Sequence, residues 1–453
     1  MYLKKIRLQN IKCFEDVTLE FPNKDGDYSG WNVILGENGL GKSTLVRAMA
    51  ELVMSLNYVN WLRDDEWVAD RSERGKIEAE FLETRFDDPE LRGKGATRHP
   101  TIGLRKQLWL EARIEPLGTE VDNTTRRPKK ANTPGWLACG YGPFRRLDWQ
   151  PAAFQRSPYE VPFLTILNDS AGIAEPISWL KTIYARSLDK KVAGSDVFRQ
   201  TLPLFEKVIN QLLPESPNTR LKDISTERVL FETAEGVELE AIHLSDGFRS
   251  FLALVLDLLM HVYNATSRFL DYVAEDKETG TISILAEGIV LIDEADAHLH
   301  PSWQRELGER LRQVFPKIQF IVTTHSPFIA QEAIDGGLFV LSRNEKGSVE
   351  VTQPIESVRG WTATQILTSP RLFGLHSTRS VETESLIRRN AELLSKQNAG
   401  KLTAAEKREL KAIRETLEQQ LSAPGETYDE MNRQRDIQQY IDESLKALKN
   451  GKS

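Results

Sequence analysis

The stretch at 33–44, VILGENGLGKST, constrains this chain more than any other. An apolar run stops at Gly36. Gly36, Glu37, Asn38, Gly39 and Gly41 then lead into Lys42, Ser43 and Thr44. Beyond them Leu45, Ala48, Met49, Leu52, Val53 and Leu56 recur at helical spacing. A strand, a glycine-rich loop and a helix in this order make a phosphate cradle. Residues with little side chain let successive backbone N–H groups turn onto phosphate oxygens. The new helix aims its positive N-terminus at the same point. Lys42 has the reach for β- and γ-phosphates, and the Ser43 hydroxyl is placed to ligate Mg²⁺.

With 453 residues the chain has room for more than one domain. Its net charge of −7 excludes a polycation, so any nucleic-acid contact has to come from local basic clusters. Two qualify, RRPKK at 126–130 and the pair Arg145–Arg146. Cys13 and Cys139 lie far apart in strand-like segments, which points to small buried hydrophobes in a reducing cytoplasm rather than a disulfide framework. Lys4, Lys5 and Arg7 already alternate with strand residues, so no N-terminal signal is expected. The longest apolar runs, FLALVLDLLM and GIVLI, fall short of the ~20 residues of a membrane span. No membrane association is expected.

The order of elements predicts an α/β fold in four parts. Residues 1–150 read as a lobe of strands around the phosphate loop: KKIRLQNI, DVTLEF, KIEAEFLE, QLWLEARIEP and WLACGYG. Residues 151–228 turn helical, with ISWLKTIYARSL and VFRQTLPLFEKVINQLL as an inserted lobe. Residues 229–378 return to strands and helices. They hold a hairpin with a Glu–Gly turn at 229–244 and the motif LSDGF. A helix follows with an apolar stripe at Phe248, Phe251, Leu252, Val255, Leu256, Leu259 and Met260. GIVLI, a helix opening at Pro301, QFIVTT and a second hairpin at 338–352 complete this part. Residues 379–453 are charged helices with capping-box pairs Thr403–Glu406 and Thr427–Glu430, and a stripe of Leu410, Ile413, Leu417 and Leu421.

Three further features carry chemistry. Asp293 and Glu294 end the run GIVLI; a carboxylate there holds the Mg²⁺ that bridges nucleotide phosphates, and its neighbour is placed to act as general base. His325 follows the next apolar strand, where an imidazole can hydrogen-bond a γ-phosphate. Ser245 is an N-cap candidate, and with the Gly247 N–H it makes a second anion-seeking helix end. Two such ends imply a composite site closed by a second copy of the chain. His298 and His300, with Asp293 and Asp296, admit a metal site as a lesser alternative.

Together the opening IRLQNIKCFEDVTLEF, the loop GENGLGKST, the motif LSDGF, the strand VLIDEADAHLHP and the segment VTTHSP resemble the ABC-type ATPase heads of the SMC, RecF and OLD-like branch. The resemblance covers about residues 1–60 and 240–345. It implies a phosphate-loop ATPase head of mixed sheet and flanking helices, extended at its C-terminus by helices. It also implies a head-to-tail homodimer sandwiching ATP and Mg²⁺, with assembly into higher oligomers open. Ser245 and Gly247 of one copy then contact the γ-phosphate held by Lys42 of the other, and Lys12 of the opening motif lies near the nucleotide. Asp246 and Phe248 depart from the usual Gly and Gln. YGPFRR, at 141–146, occupies the region of the usual Mg²⁺-completing Gln, with Gln150 and Gln155 further on, and that ligand stays unassigned. The segments HLHPSWQ, GYGPFRR and RGWTATQILTS resemble stand-alone ATPases of bacterial anti-phage systems of the Septu and retron kinds. That likeness implies a separate nuclease or other effector as partner. The alternative is a repair ATPase acting on DNA directly.

Overall fold

The computed structural model describes residues 1–24, 26–55, 67, 75–82, 107–115, 118–120, 137–147, 161–173, 176–189, 195–215, 218–266, 268–354 and 356–420. The cluster at 126–130, Gln150, Gln155, Leu421 and the pair Thr427–Glu430 lie outside them. The chain divides into two compact units, Met1–Gly374 and Leu375–Ser453.

In the first unit β1 (Tyr2–Ile11) and β2 (Phe14–Glu20) form a hairpin with Ile11 opposite Phe14. Lys12 in its two-residue turn has φ +47°, as tight hairpin turns require. β3 (Gly30–Leu35) delivers the phosphate loop to α1 (Lys42–Ser55). With β4 (Gly75–Leu82), β5 (Gln107–Glu115) and β6 (Gly118–Glu120) the first hairpin builds an antiparallel sheet ordered β2-β1-β4-β5-β6. β7 (Ala138–Tyr141) precedes a helical lobe of α2 (Leu164–Leu167), α3 (Pro176–Leu188) and α4 (Ser195–Leu212). β8 (Arg220–Ile224), β9 (Val229–Glu232) and β10 (Glu238–Glu240) form a small sheet, followed by α5 (Asp246–Ala265). β11 (Val273–Glu275) and β12 (Ile282–Ile284) are a hairpin too short to show a period in the sequence. Then come β13 (Gly288–Ile292), α6 (Pro301–Val314), β14 (Ile318–Thr323), α7 (Pro327–Gln331), β15 (Leu338–Arg343), β16 (Val349–Thr352) and α8 (Ala363–Thr368). The expected mixed α/β head with a helical lobe is what the chain adopts.

The central sheet runs β16-β15-β3-β14-β13-β7 and is parallel except for β16. A parallel sheet is covered on both faces, which is why β13 and β14 read as unbroken apolar runs. Strand alternation assigns side chains to the two faces. Trp31, Val33, Leu35, Val290, Ile292, Phe320 and Val322 pack into a core shared with α3, α4, α5 and α6. Ile34, Ile289, Leu291 and Ile321 pack on the opposite side with α1 and the antiparallel sheet. Helix α1 and helix α5 therefore lie on opposite faces of one sheet.

Helix α5 departs from the single stripe its sequence suggested. Leu252 to Leu256 and Leu258 to Met260 are buried all round, because α3, α4 and β7 surround it. By length and composition alone it could cross a membrane, yet 72% of its apolar window is buried inside the protein. A buried helix that is apolar on every side is a core helix.

Helix α1 carries one polar misfit, Glu51, which is 6% exposed. Burial pushes its carboxyl up to about 7 from an ordinary 4.5. The folded value lies above the unfolded one, so stability falls as pH rises from about 4.5 to about 7 and the full cost persists above. Glu51→Gln is expected to raise the melting temperature at pH 8 and leave it nearly unchanged at pH 4, a gain of about 3 kcal/mol at the alkaline end. Equal gains at both pH values in thermal melts would remove the ionisation argument.

Among the described residues of the second unit, α9 (Val381–Asn398) and α10 (Ala404–Gln420) form a helical hairpin. Leu393, Leu410, Ile413 and Leu417 form its core. Arg389 grips Glu409 through Nε and Nη2 at 2.7 and 3.0 Å. Thr403 and Glu406 make the predicted reciprocal cap, with bonds of 3.2 and 2.9 Å.

Candidate functional site

The phosphate loop is locked from below by the first hairpin. Gly41 has φ +87°, and a Cβ there would sit 2.4 Å from Cys13 Sγ and 2.8 Å from the Phe14 ring. The Cys13 thiol donates to the Leu40 carbonyl at 3.6 Å. Lys12 donates its N–H to the Trp67 carbonyl at 2.8 Å and sets its ammonium 4.8 Å from the Trp67 ring centroid. Trp67 sits in a charged stretch that gave no periodic signal, so the sequence did not single it out. Glu37, Asn38 and Gly39 are exposed at the loop tip, and Ser43 and Thr44 are half-buried in the first turn of α1. Lys42 is folded back, donating to the Gly36 and Glu37 carbonyls at 2.7 and 3.0 Å. Gly41→Ala is expected to weaken nucleotide binding by about tenfold or more while leaving the far-UV spectrum intact, because both its φ and its Cβ are disallowed. Titration with a fluorescent ATP analogue checks it, and an unchanged Kd would show that the loop tolerates displacement.

The acidic end of β13 reaches this loop because β14 alone separates β13 from β3. Asp293 is 4% exposed; its N–H donates to the Tyr141 carbonyl at 2.7 Å and its Oδ1 accepts from the Thr323 hydroxyl at 2.5 Å. Glu294 follows with φ +47°, unusual for a residue with a side chain. Its N–H donates to Thr323 Oγ1 at 2.8 Å, and the next N–H, of Ala295, donates to the Thr323 carbonyl at 2.8 Å. Asp296 Oδ1 accepts from the Thr324 hydroxyl at 2.5 Å and from the His325 N–H at 3.1 Å, which fixes the end of β14 against the acidic turn. Lys42, Asp293, Glu294, Asp296 and His325 all lie within electrostatic reach of one another. Burial lowers the His325 pKa, the Lys42 charge lowers it further, and the three carboxylates oppose them. The imidazole is therefore neutral at pH 7.

Arg145 corrects the sequence reading of Arg145–Arg146 as a nucleic-acid contact. Arg146 is exposed, but Arg145 is 2% exposed and turned into the protein. It donates to the carbonyls of Gly142, Asp293 and Glu294 at 3.3, 3.1 and 3.1 Å. Burial pushes its pKa down to about 10, against the upward pull of Asp293, Asp296 and Glu294.

The motif LSDGF meets the acidic segment further along, at His298. Ser245 is the N-cap of α5, its Oγ accepting from the Phe248 N–H at 3.4 Å. The Asp246 carboxylate is exposed, pairs with Arg249 and feels Arg146 and His298. Its charge is thus offset locally. Phe248 is a core residue: it packs edge-on against Phe231 and Trp303. A Cβ on Gly247 would lie 2.5 Å from the His298 carbonyl oxygen, so only glycine fits there. His298 has φ +64°, and His300 caps α6, its Nδ1 accepting from the Ser302 N–H at 3.3 Å.

Fold and site define a phosphate-loop α/β domain with an acidic strand end beside the loop. The chain belongs to the family described as "AAA domain, putative AbiEii toxin, Type IV TA system", which matches residues 31–330. A second family, described as an AAA domain, matches residues 5–52. The Septu protein PtuA of Bacillus mycoides (strain KBAB4) is 29% identical over 392 residues, covering 83% of this chain and 45% of that protein. The Retron Ec83 "probable ATPase" of Escherichia coli is 33% identical over 147 residues, 32% of this chain and 25% of that one. The chain spans less than half the length of the curated relatives it matches. A solved SMC head bound to the C-winged helix domain of ScpA is 15% identical, covering 78% of this chain and 98% of that one, with a TM-score of 0.47.

Proposed function

We propose that this chain hydrolyses ATP with Mg²⁺, dimerises head to tail around the nucleotide, and uses that cycle to gate a separate effector in a cytoplasmic anti-phage system. The observation that carries the reading is the placement of two phosphate-seeking helix ends, α1 and α5, on opposite faces of one sheet. Each chain then offers two anion-seeking ends, and two chains in antiparallel contact can bring Ser245 and Gly247 of one to the phosphates held by the other.

On this reading Lys42 leaves the Gly36 and Glu37 carbonyls for the β- and γ-phosphates, which the N–H groups of the loop also receive. The Ser43 hydroxyl and the Asp293 carboxylate are the hard oxygen donors that suit Mg²⁺, and among the described residues only Oδ1 of Asp293 is engaged. The ion, when bound, neutralises phosphate charge. Glu294 takes a proton from the attacking water as its oxygen bonds to the γ-phosphorus and the bond to the β-phosphate oxygen breaks. Neutral His325 hydrogen-bonds the γ-phosphate and registers its departure. Lys12, on the Trp67 ring, flanks the nucleotide. Ser245 and Gly247 come from the second copy.

The likeness to Septu and retron ATPases supports an effector on a separate chain, and the charged α9–α10 hairpin is the docking surface we assign to it. The test is a nuclease assay with Mg²⁺ and ATP. The isolated chain is expected to hydrolyse ATP without cutting DNA, and to show nucleotide-dependent cutting only with the product of a neighbouring gene. Robust cutting by the isolated chain that survives Lys42→Ala would instead make it a DNA-processing enzyme.

A further inference from the structure

We infer that Arg145 is a positioning residue for the hydrolytic step, a clamp that fixes the backbone of Glu294 and so the direction of its carboxylate. This rests on the reading of Glu294 as general base.

The argument starts from the turn. Glu294 adopts φ +47°, a conformation that costs a residue with a side chain on the order of 1 kcal/mol or more. Such a conformation persists only where its surroundings over-determine it. Here both peptide units flanking Glu294 are held on both sides. The Asp293 carbonyl accepts from Arg145 and the Glu294 N–H donates to Thr323 Oγ1. The Glu294 carbonyl accepts from Arg145 and the Ala295 N–H donates to the Thr323 carbonyl. Arg145 and Thr323 thus form two halves of a clasp. Each half holds both peptides, so the turn cannot rotate without breaking bonds to one of them.

The chemistry requires arginine in this place. A planar guanidinium presents donors at fixed spacing and reaches two successive carbonyls, while an ammonium is a point donor that cannot reproduce the fork. The charge is also buried directly behind the acidic turn, where Asp293, Glu294 and Asp296 stabilise it. Among the described residues Arg145 makes no hydrogen bond to the phosphate loop; its three acceptors are backbone carbonyls of its own loop and of the acidic turn. Nucleotide affinity should therefore be separable from turnover.

The experiment is a double-mutant cycle of Arg145→Lys with Glu294→Gln, measuring ATP turnover and, by titration with a fluorescent ATP analogue, affinity and binding stoichiometry. Arg145→Lys alone is expected to lower kcat by about 10- to 100-fold, with Kd within about threefold and one nucleotide bound per chain. Added to Glu294→Gln, it is expected to lower kcat no further. If the two effects multiply, Arg145 does not act through Glu294 and the inference fails. If Glu294→Gln alone turns over like the parent, the general-base reading fails instead. Should Arg145→Lys not fold, Arg145→Gln, which also lacks the fork and leaves no charge buried, is carried through the same cycle, and the same outcomes decide.

Discussion

Glu294→Gln is expected to bind ATP with near-parental affinity, to hydrolyse it about 10²- to 10⁴-fold more slowly, and to elute as a dimer or larger assembly in ATP but not in ADP. The substitution keeps the shape of the side chain and removes its ability to take a proton. Nothing it touches in the backbone clasp depends on the carboxylate, because the bonds that hold the turn run through the Glu294 N–H and carbonyl. The phosphate loop, Lys42 and Asp293 keep their places, so binding is spared. If ATP joins two copies and hydrolysis parts them, a slow variant accumulates in the joined state. Size-exclusion chromatography with light scattering, beside a phosphate-release assay, measures both halves of the expectation. Parental turnover would remove Glu294 from the chemistry. Slow turnover without any ATP-dependent change in mass would leave the chemistry and remove the sandwich.

Much of this site was legible in the sequence, and the reasons are local. The phosphate loop announces itself because a strand, a loop with φ-permissive glycines and a helix must follow one another without a gap. Ser245 was readable as an N-cap because a cap favours a short side chain with an accepting oxygen at one position. β13 and β14 were readable because strands buried on both faces are uniformly apolar. What escaped depends on contacts between distant segments. Arg145 reads as a surface cation beside Arg146 until the chain folds it under Asp293, 148 positions away. Trp67 gains its place under Lys12 only through the hairpin turn. The full burial of α5 follows from three neighbours, none of which its own periodicity could reveal. Asp246, a departure from the usual Gly, pairs with Arg249 at a spacing of i,i+3 that is itself visible in the sequence.

The half-site reading makes a sharper demand than any single variant can meet. Lys42→Ala is expected to abolish detectable ATP binding, since the buried ammonium is the one side chain of the cradle able to follow the phosphates, and its loss also frees the Gly36 and Glu37 carbonyls it now satisfies. Ser245→Arg is expected to retain binding and lose hydrolysis, because it removes the hydroxyl that completes the partner's site while the two copies still meet. Each variant alone is then inactive for a different reason. Mixed in equal amounts, they form dimers in which Lys42 of one chain faces Ser245 of the other, so one site of the two is intact. Random pairing makes half the dimers mixed, and the mixture should recover up to about a quarter of the parental rate. A site contained in one chain predicts no such recovery, because every chain in the mixture carries a lesion. An inactive mixture, with both variants shown to be folded and to pair with each other, would instead place Ser245 and Lys42 in one site of the same chain, whereas a Ser245→Arg variant that turns over like the parent would leave α5 as nothing more than a well-capped core helix.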